Sequence, residues 1–292
     1  MTGILRAAGA TFAIALWLGP ALQARADSQA PAAGTPLERG RSLMRGIVAC
    51  GNCHTPQGPD GPVPGMELAG GTPFVEAPFT AYASNITPDP ETGIGRWTDE
   101  QIIVAIREGR RPDGSLIGPP MPIAFYRGLS DGDARAIVAY LRSVPAVRNP
   151  VPKSQYRMAL PAAYGPPLGS VPEVPTTDPV AYGAYMAGPL GHCLECHTPL
   201  APDGHRDMTR AGVGGQPFNG PWGTTTARNI TQDKEEGIGQ WTDAQIKRAV
   251  TEGVRPDGTR LGPPMAFSYY HTIAAEDLDA LVAYLRTLPP RR

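Results

Sequence analysis

The chain has 292 residues, 41% apolar and 18% charged, with a formal net charge of −1. That length suits two domains of roughly 100–200 residues each, the apolar fraction excludes wholesale disorder, and near-neutral charge excludes a strongly basic nucleic-acid binder. Glycine (35) and proline (34) together form about a quarter of the residues, which predicts long ordered loops between short elements.

The chain opens with Arg6, an apolar run over residues 7–18 broken only by Gly9 and Thr11, then Gly19-Pro20 and Ala24-Arg25-Ala26. This pattern reads as a secretory signal peptide over residues 1–26, cut near Ala26. The run falls short of the roughly 20 apolar residues that a membrane-spanning helix needs. No later segment is apolar enough to span a bilayer, so an exported, periplasmic chain with no membrane span of its own is expected.

The remainder reads as two copies of one unit. Gly93-Ile-Gly-Arg-Trp97-Thr-Asp99 recurs as Gly237-Ile-Gly-Gln-Trp241-Thr-Asp243, and Arg111-Pro-Asp-Gly114 recurs at Arg255–Gly258. Gly118-Pro-Pro-Met121 recurs at Gly262–Met265, and Val138-Ala-Tyr-Leu-Arg142 at Val282–Arg286. All four pairs lie 144 residues apart, while Cys50-Gly-Asn-Cys53-His54 recurs 143 residues on as Cys193-Leu-Glu-Cys196-His197. The units are placed at residues 36–145 and 179–290. Between them, residues 146–178 read as an extended, semi-rigid linker with polyproline character.

Within each unit the expected elements are helices, and strand-like alternation is not evident. Helices are predicted over residues 39–49 and 179–190, leading into the cysteine motifs. Thr98-Asp-Glu-Gln101 and Thr242-Asp-Ala-Gln245 are capping boxes that open the next helices. The last helix of each unit is expected over 131–142 and 275–286. The predicted fold class is therefore all-α: two tandem helical domains joined by Gly/Pro-rich loops. Cores this thin would gain from a large buried cofactor.

Cys-x-x-Cys-His is the attachment motif of c-type haem. Two thiols separated by two residues on a helical turn meet the two vinyl groups of one porphyrin, and the following histidine binds the iron. Four cysteines, all used by the two motifs, imply two covalently bound haem c groups on Cys50, Cys53 and His54, and on Cys193, Cys196 and His197. A zinc site would want a fourth ligand. A disulfide or redox dithiol would not need the histidine.

The sixth iron ligand follows from counting. His54 is the only histidine in the first unit and no cysteine is spare, which leaves methionine, the high-potential ligand of cytochromes c. Met44 sits on the helix entering the motif and Met66 only twelve residues past His54, both positions that suit packing. Met121 and Met265 lie 67 and 68 residues after their histidines in matched Gly-Pro-Pro-Met loops, so these two are assigned as ligands, with Met66 and Met208 next in line. His192 directly precedes Cys193 and is a poor ligand candidate.

These motifs resemble the class I cytochromes c, and more narrowly the multihaem cytochrome subunits of bacterial alcohol- and gluconate-type dehydrogenases. The shared residues are Cys-x-x-Cys-His, Asn85-Ile-Thr-Pro-Asp89, Gly93-Ile-Gly95, Trp97, Pro120-Met121-Pro122 and Ala139-Tyr-Leu-Arg142. Their second-unit partners are Asn229-Ile-Thr-Gln-Asp233, Gly237-Ile-Gly239, Trp241, Pro264-Met265 and Ala283-Tyr-Leu-Arg286. The resemblance implies an electron carrier rather than an enzyme. It would take electrons from a periplasmic or membrane-associated dehydrogenase and pass them to a cytochrome or terminal oxidase.

Other residues keep two readings. Trp97 and Trp241 suit either an indole bond to a haem propionate or plain core packing. Arg111 and Arg255 suit propionate pairing or solvated turns. Asp89, Glu91, Asp233, Glu235 and Glu236 read as turn carboxylates in the absence of a twelve-residue calcium loop. A dihaem enzyme acting on peroxide or a sulfur compound is the alternative function. Two iron centres each held by histidine and methionine would leave no open position for substrate, which favours electron transfer. The exported protein is expected to carry two covalent haems and no free thiol. Intact mass and a thiol titration check this, and one haem or a reactive thiol would contradict it.

Overall fold

The computed structural model describes residues 34–292 apart from Asp203 and Pro221; the expected leader, residues 1–26, lies outside them. In chain order the first half holds helices Pro36–Arg45, Gly51–His54, Asp99–Glu108, Ile123–Tyr126 and Asp131–Ser143. The second half holds Pro179–Tyr185, Cys193–Cys196, Asp243–Glu252, Phe267–Tyr270 and Ala275–Leu285, and a π-helical turn Met186–Leu190 extends the first of these. Among the described residues no helix is long and apolar enough to cross a membrane.

The expected all-α class is corrected by the structure. The described residues form ten α-helices, half of them no longer than seven residues, and also seven short strands in three antiparallel sheets. Gln57–Gly58 pairs with Gly61–Pro62, Pro73–Glu76 with Phe79–Tyr82, and Pro217–Gly220 with Gly223–Thr226. The Gly/Pro-rich connections fold back on themselves because paired extended segments satisfy backbone groups that a packed loop would strand. The overlooked signal was short. In Phe79-Thr-Ala-Tyr82 the side chains of Phe79 and Ala81 are buried while Thr80 and Tyr82 are half-buried.

The proline-rich segment between the halves is ordered against the first half. Gln155–Tyr156 adds a third strand to the first hairpin, with Phe79 opposite Tyr156 and Thr80 opposite Gln155. Ser154 Oγ accepts from the Tyr82 amide at 3.0 Å, and the Arg157 guanidinium donates to the Glu76 and Ala77 carbonyls at 2.6 and 2.8 Å. Farther on, Ser170 donates to Asp131 at 2.6 Å, and the same carboxylate meets buried Arg107 at 2.7 Å. These two contacts, Ser170 first, pull the Asp131 pKa down to about 2.

The capping boxes form as the sequence suggests. Thr98 and Thr242 accept from the Gln101 and Gln245 amides, each glutamine reaching back to the cap, and Thr35 with Glu38 forms a third box. Gly109 and Gly253, at φ 65° and 66°, end the helices they cap in the left-handed conformation that glycine adopts without Cβ strain.

Each half is closed by its first and last long helices crossing at a glycine. A Cβ on Gly40 would lie 1.9 Å from the Ala136 carbonyl oxygen, and one on Gly183 would lie 1.9 Å from that of Ala280. One hydrophobic core runs through both halves, taking in Leu43, Met44, Ile137 and Leu141 as well as Tyr185, Met186, Leu190 and Leu281. A buried polar cluster joins them: Arg39 meets Asp133 at 2.7 Å, and Tyr185 donates to Asp133 at 2.8 Å while accepting from the Ser130 amide at 3.1 Å. Gly40→Ala should destabilise the fold by about 1–3 kcal/mol, the usual cost of overpacking, and Gly183→Ala likewise. Gly169→Ala, whose Cβ meets open space, should leave the thermal melt unchanged.

Candidate functional site

Both cysteine motifs sit on single helical turns. Gly51–His54 and Cys193–Cys196 begin just after Ala49 (φ 47°) and His192 (φ 38°), two non-glycine residues in the left-handed region. Both motifs line one cavity of about 3880 Å³, several times the roughly 300–1,000 Å³ of an ordinary small-molecule site. Cys50, Cys53, His54 and Met121 line it, and so do Cys193, Cys196, His197 and Met265, with Ile94, Trp97, Ile238 and Trp241 among its apolar walls.

The histidines are held in matching ways. His54 Nδ1 lies 2.7 Å from the Ser84 carbonyl and His197 Nδ1 lies 2.6 Å from the Arg228 carbonyl. A carbonyl can only accept, so Nδ1 carries the proton and Nε2 keeps its lone pair, the arrangement that orients a metal-binding imidazole. Burial pushes both ring pKa values down, which keeps the rings neutral.

The loops that present those carbonyls account for the remaining motifs. Asn85 Oδ1 accepts from the amide and hydroxyl of Thr87, while its Nδ2 donates to the Val147 carbonyl at 2.8 Å. Asn229 does the same with Thr231 and the Arg291 carbonyl. Ser84 and Arg228 are thereby fixed one residue upstream. A Cβ on Gly93 would come within 2.3 Å of the Thr87 carbonyl oxygen, and on Gly237 within 2.4 Å of that of Thr231. Arg142 bonds the Trp97 carbonyl and Asp99, and Arg286 bonds the Trp241 carbonyl and Asp243, tying each last helix to the same loop. Asp89 accepts from the Glu91 and Thr92 amides, and Asp233 from those of Glu235 and Glu236, so these carboxylates cap turns.

The cysteine thiols face the cavity and are partly exposed to it. Burial pushes Cys50 and Cys196 up to about 12 and Cys53 and Cys193 up to about 11. A redox dithiol relies on the opposite shift. Met44 is fully buried in the core and Met208 is exposed; among the methionines weighed from the sequence, Met121 and Met265 line the cavity. Met158 lines it too, from the proline-rich segment, a contribution hidden in the sequence because it depends on where that segment docks. Trp97, Trp241, Arg111 and Arg255 also face the cavity; Arg111 donates to the Leu116 carbonyl at 2.8 Å and Arg255 to the Thr259 hydroxyl at 3.4 Å. His192 packs edge-on against Tyr126 and lies 3.2 Å from Glu195.

The two motif regions touch. Asn52 Nδ2 donates to the Pro264 carbonyl beside Met265 at 3.3 Å, and a Cβ on Gly51 would fall 2.1 Å from the Tyr269 hydroxyl. Tyr126 and Tyr270, both buried, also line the shared cavity. Sequence reading passed over these tyrosines, although Phe125-Tyr126 and Tyr269-Tyr270 stand at equivalent places after each Met loop. A cavity with apolar walls that offers two thiol pairs, two neutral imidazoles and two thioethers fits covalently attached haem.

Comparison with known proteins agrees. The chain is 31% identical over 299 residues to the fructose dehydrogenase cytochrome subunit of Gluconobacter japonicus, covering 95% of this chain and 58% of that protein. It is 30% identical over 289 residues to the cytochrome c subunit of a quinone alcohol dehydrogenase from Gluconacetobacter polyoxogenes, covering 92% and 59%. A diheme cytochrome c-type protein of Cereibacter sphaeroides is 29% identical over 289 residues, covering 95% and 94%. The chain is a cytochrome c homologue. No family model matches it. The chain spans about three-fifths of the length of the two dehydrogenase subunits, and nearly all of the diheme protein. Relatives of this kind imply covalently bound haem c in this cytochrome c homologue.

Proposed function

We propose that this cytochrome c homologue is an exported, periplasmic electron carrier built from a duplicated unit, with one haem c on each cysteine motif. The observation that carries the reading is the matched pair of histidines, each with Nδ1 given to a backbone carbonyl and Nε2 free, in a cavity shared with both thiol pairs and both Met loops. In this reading Cys50 and Cys53 would hold the first group covalently, and His54 and Met121 would bind its iron; Cys193, Cys196, His197 and Met265 would do the same for the second. Bound haem supplies reversible one-electron chemistry at iron. The protein would contribute apolar walls that exclude water, a histidine of fixed orientation and a thioether, a set that favours the ferrous state. The names of the relatives point to electron transfer within dehydrogenase complexes rather than to catalysis on a small substrate. We assign a dehydrogenase as the donor and a cytochrome or terminal oxidase as the acceptor.

Met121→Ala should leave the first iron without its sulfur ligand and lower its potential, and Met265→Ala should do so at the second. Each single variant should lose about half of the weak near-infrared sulfur-to-iron band, as two equivalent sites require. A full band in either variant would move the ligand to another methionine. If the contact with the dehydrogenase is transient, it should bury on the order of 1,200 Å² or less. Reduction in stopped flow should then slow as ionic strength rises past about 0.1 M, where screening acts within about 10 Å. Co-purification through high salt with a salt-independent rate would instead identify a permanent subunit.

A further inference from the structure

The loop that presents Met121 carries Pro119 and Pro120, which have no N–H to fasten it. Its stem is closed where the Ile117 amide donates to the Gly109 carbonyl at 2.7 Å, and beyond it the Ile123 amide donates to the Met121 carbonyl at 2.9 Å. Between those points the loop is gripped by residues from outside it.

The grip comes from the proline-rich segment between the halves. Tyr164 donates to the Ile117 carbonyl at 2.8 Å, and its ring stands against Gly109, where a Cβ would fall 2.9 Å away. A Cβ on Gly118 would meet the Tyr156 ring at 2.6 Å and Leu160 at 2.8 Å. Both glycines thus give the segment the room of a missing side chain. Over residues 155–164, Tyr156, Leu160 and Tyr164 are half-buried and the other seven residues are exposed. The three that turn inward are the three that touch this loop. The segment is clamped on either side of them: Ser154 accepts from the Tyr82 amide at 3.0 Å, and Arg127 donates to the Pro166 carbonyl at 2.6 Å.

We infer that this segment is a working part of the first site, with Tyr156, Leu160 and Tyr164 as positioning residues for the loop that presents Met121. The inference rests on Met121 being an iron ligand, as proposed above, and adds what holds it in place. A thioether carries no charge and favours ferrous over ferric iron, so on ferric iron its hold depends on how firmly its loop is kept near. Loosening the loop raises the fraction of time it stands open, and an outside ligand can then take its place. The Met265 loop is held by other means, since Asn52 donates to the Pro264 carbonyl at 3.3 Å. The second site is therefore an internal control.

Imidazole added to the ferric, fully haem-loaded chain competes with each thioether, and stopped flow reads the loss of the near-infrared sulfur-to-iron band. Two phases are expected, and Met121→Ala and Met265→Ala identify them, each removing one. Tyr164→Phe keeps the ring and removes the hydrogen bond. It should speed the Met121 phase roughly fivefold, the effect of one hydrogen bond on a local opening, and leave the Met265 phase alone. Leu160→Ala, which loosens the grip on Gly118, should act on the same phase in the same direction. Equal acceleration of both phases would reduce these residues to general stability, and an unchanged Met121 phase in both variants would reduce the segment to a spacer; either result overturns the inference. Met158→Leu should change neither the band nor the rates. Loss of half the band in that variant would mean that the segment supplies the ligand itself, and would reject the positioning role. Failure of the ligand reading would look different: Met121→Ala would retain the full band and both phases.

Discussion

A single kind of hydrogen bond organises each half of the molecule: a backbone carbonyl held against a histidine Nδ1, at 2.7 Å for His54 and 2.6 Å for His197. The bond decides which ring nitrogen is protonated, and so which one can meet a metal. A carbonyl on a free loop would wander. Here the residue after it is an asparagine whose side chain bonds both its own loop and the chain leaving the last helix. The Gly-Ile-Gly turns bring backbone within reach where a Cβ would clash, and Arg142 and Arg286 fasten the turns to the last helices. Asn85, Gly93 and Arg142, and Asn229, Gly237 and Arg286 in the second half, all serve this one contact.

The second organising fact is that the halves do not stand apart. Their cores merge, their motif helices lie within side-chain reach of each other, and a buried cluster of Arg39, Ser130, Asp133 and Tyr185 spans the join. A change in one half is therefore felt in the other, because removing one partner leaves a buried polar group unpaired. The same closeness places the two proposed electron sites in one enclosure, with the buried rings of Tyr126 and Tyr270 in its wall.

Much of the site was legible from residue types alone. Cys-x-x-Cys-His specifies its chemistry by spacing, and the matched Gly-Pro-Pro-Met loops stood out because they follow their histidines by nearly the same count, 67 and 68 residues. Capping boxes at Thr98 and Thr242 marked helix starts because the signal lies within four residues. What failed was non-local. The hairpins at 73–82 and 217–226 were missed because four-residue strands leave too little alternation to register, and the all-α class fell with them. Where the segment at 150–164 packs was not legible, because its contacts, from Ser154 to Tyr82 and from Tyr164 to Ile117, are made with residues far along the chain. Tyr126 and Tyr270 gave a repeat signal without a chemical one, and only burial distinguishes them from ordinary core.

The contact between Arg39 and Tyr182 bears on how the two halves came to fit. These residues occupy the same place, 143 positions apart, on equivalent helices, and they touch each other, Arg39 Nη2 to the Tyr182 hydroxyl at 3.3 Å. Equivalent positions that meet are the mark of an isologous join, the kind made by two identical subunits about a two-fold axis. In a symmetric pair of separate chains, position 39 would face its own copy, and two arginines there would repel. Covalent linkage lifts that restriction: one side can be cationic and the other a neutral hydroxyl, so the join can be made of unlike residues and need assemble in only one way.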